Sequence, residues 1–134
     1  MVFRQKIVAM LFLAISFCTQ AWATDTSLRY YNNGKYEQIK MTEIQKAHIS
    51  SSCIKNGKPS CEAWKVLSGK PKPESESKIP LAGDPAAKYC WDVGAKNRIL
   101  KSSDNKQYDY CVFADGSMID AWDLYYKHFP RTSK

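Results

Sequence analysis

Two stretches of the chain run from a cysteine to a tryptophan eleven positions later, Cys53 to Trp64 and Cys111 to Trp122. In both, the tryptophan follows an acid and an alanine: Glu62-Ala63-Trp64 and Asp120-Ala121-Trp122. A cysteine held in a bridge and a bulky ring at a set distance leave a short chain few ways to close around them. Written twice, the spacing predicts one small module repeated in tandem.

The first residues carry Arg4 and Lys6, an apolar run from Ile7 to Phe17, and then Ala21-Trp22-Ala23. That order is the pattern of a secretory signal over 1–23. The apolar run is too short for a permanent membrane anchor, and Phe17 ahead of Cys18 does not suit lipid attachment. The expected address is the bacterial periplasm or the exterior, with no stable membrane insertion. Removal of 1–23 takes two of the 20 basic residues and none of the 13 acidic ones, leaving a net charge of +5. The lysines at 35, 40, 46, 55, 58, 65, 70, 72 and 78 are dispersed, as on a solvated surface. Nucleic acid is not an expected partner of an exported chain without a binding motif.

Cys18 leaves with the signal, so Cys53, Cys61, Cys90 and Cys111 remain, and four cysteines allow three pairings. Small exported modules bury too little apolar surface to hold themselves, which favours disulfides. No CxxC pair or neighbouring histidine offers zinc spacing, and no metal or cofactor is expected.

Residues 69–83, from Gly69-Lys70-Pro71 onward, alternate charge and proline and read as a flexible linker. It separates a first module, 24–68, from a second, 84–130. The second opens on Asp84-Pro85, an N-cap followed by proline at the first helical position, and Gly94 stops the helix. Residues 97–102 and 107–113 suit a hairpin turning near 104–106. Ser117 with Asp120 forms a capping pair for a last helix reaching Phe129, whose buried stripe is Ile119, Trp122, Tyr126 and Phe129. The predicted class is α+β: small disulfide-stapled modules, each helix–β-hairpin–helix, two in tandem.

Laid on the first half, the same order pairs Gly34 with Gly94 and Ile39 with Ile99 at an offset of 60, and Cys53 with Cys111 at 58. Tyr30 then takes the place of Cys90, which leaves Cys53 without its counterpart's partner and Cys61 as the replacement. The favoured bridges are Cys90 with Cys111 and Cys53 with Cys61, worth roughly 3.4 and 2.6 kcal/mol by chain entropy. A bridge between modules would contradict the repeat.

Asp84-Pro85-Ala86-Ala87-Lys88-Tyr89-Cys90, Gly94, the run Tyr108 to Ser117, Trp122 and Tyr125 together resemble the small bacterial domain-of-unknown-function family 333, over 84–127. Its members are often labelled hemolysins. The start is Asp-Pro-Ala here and Asn-Pro-Ala in the family, a conservative cap change. Many members carry a further cysteine eight positions after the strand cysteine. That place is Ile119 in the second half and Cys61 in the first, so 26–67 resembles a degenerate second copy. The resemblance implies no activity and no mechanism.

The chain lacks the constellation of an enzyme, and none is expected: its two histidines, His48 and His128, have no triad or metal spacing around them. His128 is expected as a cation at a helix end; Asp115 as a turn former, Asp120 as a cap and Asp123 as a solvated side chain. Trp64 and Trp122 are expected in the core. Tyrosines in adjacent pairs must leave some rings outside, so Tyr108, Tyr110 and Tyr125, with Lys55 and Lys58, form the candidate binding surface. The expected function is non-catalytic binding of an envelope or extracellular protein. An alternative is inhibition of a secreted hydrolase or protease through the Cys53–Cys61 loop, and a more distant one is membrane lysis.

Overall fold

The computed structural model describes residues 26–74 and 84–132. The expected signal, 1–23, and residues 75–83 of the expected linker lie outside the described residues.

Asn33 and Gly34 both take positive φ, 49° and 82°. This is the two-residue primed turn that matches the twist of paired strands, and it joins β1 (Thr26–Asn32) to β2 (Lys35–Ile44). Gln45 and Lys46, also at positive φ, turn β2 into β3 (Ala47–Ser50). A 3-10 turn (Ser51–Cys53) leads to a minute hairpin, β4 (Ile54–Lys55) and β5 (Lys58–Pro59), closed by Asn56-Gly57, and then to α1 (Glu62–Ser68). The second half supplies α2 (Pro85–Asp92), β6 (Lys96–Lys101), β7 (Gln107–Val112), β8 (Met118–Asp120) and α3 (Ala121–His128).

Six strands close into one barrel in the order β1-β2-β3-β8-β7-β6. Each half gives a three-stranded meander, and the two meet first strand to first strand and last to last. Arg29 opposes Lys101 and Tyr30 opposes Leu100, while Ile49 opposes Ile119. Side chains alternate between the two faces of each strand. The barrel interior holds Leu28, Met41, Leu100, Tyr110 and Met118. The opposite face of β3, β7 and β8 lays Ala47, Ile49, Cys111 and Ile119 under the three helices, against Ala63, Leu67, Tyr89, Cys90 and Leu124. The described helices therefore cover one wall of the barrel.

Disulfides join Cys53 to Cys61 and Cys90 to Cys111, the pairs singled out by the internal repeat. The second fastens α2 to β7. The opening of the second half also has the expected form: Asp84 Oδ1 accepts from the Ala86 and Ala87 N–H groups, Pro85 is the first helical residue, and Gly94 has φ 84°.

Four expectations are corrected. The first half does not open on a helix. The stretch carrying Tyr30 is β1, because the Asn33-Gly34 turn and the burial of Leu28 impose strand pairing where the repeat suggested a helix. The halves are not separate tandem modules, since each meander has two open edges and satisfies them on the other half. Cys53 sits in the 3-10 turn and not on a strand.

The last helix begins at Ala121, not near Ser117. Asp120 Oδ1 caps it by accepting from the Trp122 and Asp123 N–H groups at 2.9 and 3.0 Å, and Ile119 is a strand residue. Ser117 instead caps α1, in the other half. Its Oγ accepts from Ala63 N–H at 3.1 Å, and Asp115 Oδ2 accepts from Glu62 N–H at 2.8 Å. Trp64 and Trp122 pack at the edge of the helical core, partly buried.

Candidate functional site

The inward side chains at one end of the barrel enclose a cavity of about 250 Å³. Leu28 and Met41 are its apolar floor; Tyr108, Tyr110, His48, Asp120, Thr26 and Ser102 form its walls and rim. Strand alternation puts them there. His48 lies one residue before Ile49, which faces the helices, so its ring turns to the barrel side; Asp120 follows Ile119 in the same way. Tyr110 and Asp120 are direct cross-strand partners on β7 and β8.

His48 Nδ1 lies 2.7 Å from Asp123 Oδ2, which also accepts the His48 backbone N–H at 2.9 Å. With Asp123 ionised, Nδ1 carries the proton and donates it to the carboxylate. This hydrogen bond is the main reason the His48 pKa is raised; burial opposes it, and the charges of Asp123, Asp120 and Glu43 add to it. Burial dominates at Asp120 and pushes its carboxyl up to about 6, helped by the Asp123 charge and opposed by its two backbone donors and by His48. Burial likewise raises Tyr110, with Asp120 and Asp123 contributing. Perturbed carboxyl, imidazole and phenol groups around one cavity mark a candidate site.

The chemistry this arrangement offers is recognition and proton exchange. The described hydrogen bonds place no serine, threonine or cysteine on His48 as a nucleophile would be placed. Among the described residues no group of three His, Cys, Asp or Glu side chains stands where it could hold a metal ion.

The expected surface residues are not brought together. Lys55 and Lys58 are exposed and face each other across the β4–β5 hairpin. Tyr108 stands at the cavity rim, 38% exposed. Tyr110 is a correction: it is only 3% exposed, because position 110 points into the barrel. Tyr125 is half-buried in a ring cluster with Tyr89, Trp122, Tyr126 and Phe129, and its hydroxyl donates to Glu74 Oε1 at 2.8 Å.

Asp123 is also corrected, from solvated acid to the partner of His48. His128 is not an exposed cation at a helix end. It is 9% exposed, with Nε2 3.3 Å from the Leu67 carbonyl and Nδ1 2.6 Å from the Tyr89 hydroxyl. A carbonyl only accepts, so Nε2–H donates to it; with the imidazole neutral, the Tyr89 hydroxyl accepts from Lys72 N–H and donates to Nδ1. That chain pins α1, α2 and α3 together.

Among the described residues no helix packs over the outer face of the wall formed by β2, β1 and β6. The register places Tyr36 beside Tyr31, Gln38 beside Arg29 and Lys101, and Lys40 beside Ser27 on its outer face, with Ile99 two residues from Lys101. Tyr31, Tyr36 and Ile99 are 58%, 53% and 43% exposed. The two tyrosine rings meet edge to face at 5.1 Å, and the Arg29 guanidinium lies 5.5 Å from the centre of the Tyr36 ring. The sequence signal for both the wall and the cavity was alternation along β1 and β2, hidden by the helix expected over Tyr30.

Residues 82–128 match the model of a family described as Domain of unknown function (DUF333), which spans α2 to α3. No curated protein and no solved structure matches the chain.

Proposed function

We propose that this protein is a non-catalytic, exported protein-binding module that docks a partner on its bare barrel wall. One observation carries the reading: helices cover the wall of β3, β8 and β7, whereas the wall of β2, β1 and β6 exposes Tyr31, Tyr36 and Ile99 side by side with Arg29, Lys40 and Lys101. Tyrosine and arginine are the residue types enriched at interfaces, and clustered exposed apolar groups on a small protein mark contact surfaces. The cations on this wall favour an acidic partner surface. Two disulfides suit an oxidising compartment such as the periplasm or the exterior.

The inhibitor reading has less support. A hydrolase inhibitor presents an extended loop, but Lys55 and Lys58 are drawn into a closed Asn56-Gly57 hairpin.

A photo-crosslinking residue placed at Tyr31 or Ile99, and as a control at Lys127 on α3, tests the proposal in the intact envelope. Adducts with one discrete protein from the wall positions only are the expected result, those from position 99 being lost in the Tyr31→Ala/Tyr36→Ala background. Adducts from Lys127 alone, or none from the wall, would reject it.

A further inference from the structure

The cavity at the barrel mouth has the chemistry of a receptor for one positively charged group. The observation independent of its acid is Tyr110. This residue is only 3% exposed, it lines the cavity, and its hydroxyl has no hydrogen-bond partner among the described residues. Directly across the strand pair, Asp120 spends Oδ1 on the cap of α3, and Oδ2 likewise has no partner among the described residues. Two unsatisfied oxygens of cross-strand neighbours therefore open on one small space. Both oxygens face the space of the cavity, where a donor seated there can take the place of water.

The rest of the lining narrows the donor. When ionised, Asp120 offers acceptors and no donor, and it repels anions. His48 does not reverse the sign, because its charge is matched by Asp123 at 2.7 Å. Glu43, the cross-strand partner of His48, adds another negative charge at that end. Leu28 and Met41 suit an aliphatic stem, and the Tyr108 ring on the rim offers a face for a cation. At about 250 Å³ the cavity falls below the roughly 300–1,000 Å³ of drug-sized sites and admits a side chain or a small amine. We infer that the barrel mouth binds an ammonium or guanidinium group on an aliphatic stem, as a lysine or arginine side chain presents it, with Asp120 Oδ2 and the Tyr110 hydroxyl as acceptors and Leu28 and Met41 as the seat for the stem.

This inference does not depend on the docking wall. It is tested on the full exported chain by titrating n-butylamine, Nα-acetyl-lysine amide and the neutral isostere Nα-acetyl-norleucine amide while following backbone amide resonances. Both amines are expected to shift the amides around His48, Tyr110 and Asp120 in a saturable manner, with the neutral isostere at least about tenfold weaker, the scale of one charged hydrogen bond. Asp120→Asn keeps an acceptor for the α3 cap and is expected to abolish the preference for the amine. Tyr110→Phe keeps the ring and is expected to weaken amine binding severalfold. Equal binding of the neutral isostere, an unchanged preference in Asp120→Asn, or no shift at these amides would each overturn the inference.

Discussion

Replacing Ser117 by alanine should loosen a helix more than fifty residues away and leave the helix that follows it in sequence intact. The Ser117 hydroxyl accepts from Ala63 N–H, and both residues are buried, Ala63 completely. Without that oxygen the N–H has no water to turn to, so the loss is that of an unsatisfied buried donor, about 1–3 kcal/mol. This lies at or above the roughly 0.5–2 kcal/mol of an ordinary cap. Asp115 still holds Glu62 N–H, which keeps the cost from rising further. Helix α1 has seven residues, too short to persist without its tertiary ties, so the damage should concentrate there. Urea unfolding measures the size, and native-state amide exchange gives the place. Protection should fall at Glu62, Ala63 and Trp64 and hold at Leu124 and Tyr125. A loss under about 0.5 kcal/mol, or exchange that quickens in α3 while α1 is unchanged, would refute the tertiary cap and restore Ser117 to the last helix.

Three further outcomes are expected. The raised Asp120 carboxyl makes the folded state bind the proton more tightly than the unfolded one, so stability should fall as pH rises from about 4 to about 6. The fall is at most about 3 kcal/mol, and Asp120→Asn should remove it in urea titrations at stepped pH. The raised His48 pKa acts at higher pH: its pairing with Asp123 helps fully below about 6.5 and is lost as pH rises through the folded value, so a shallower slope should survive in the variant. Converting Cys90 and Cys111 together to alanine should cost about 3.4 kcal/mol or more, against about 2.6 for Cys53 and Cys61, because the first pair closes the longer loop; comparable denaturation midpoints would contradict this. Residues 82–130 expressed alone, half a barrel with the edges of β6 and β8 open, should show no cooperative thermal transition by circular dichroism, and a cooperative melt would show that the half is self-sufficient.

Much of the second half was legible because its signals are local. Asp84-Pro85 and Gly94 bound α2 through cap geometry that neighbours in sequence determine, and the alternation on either side of 104–106 reads directly as β6 and β7. The first half misled for an identifiable reason. The likeness to the second half points to a helix at Tyr30, whereas the Asn33-Gly34 dipeptide favours positive φ and hence a hairpin. The capping pair of Ser117 and Asp120 failed differently. Both residues do cap helices, but an oxygen caps whichever N-terminus the fold brings to it, and for Ser117 that is α1.

By itself the sequence determined what depends on chain neighbours: the limits of α2, the β6–β7 hairpin and, through the asymmetry of the repeat, the pairing of Cys53 with Cys61 and of Cys90 with Cys111. Only the tertiary structure decided that the two halves share one barrel, since open strand edges are satisfied by partners far along the chain. The same closure gathered His48, Tyr110 and Asp120 around a cavity and left Tyr31, Tyr36 and Ile99 on a bare wall. A period of two says which residues share a face, but which face lies inside, and which wall the helices cover, follows from how the strands meet.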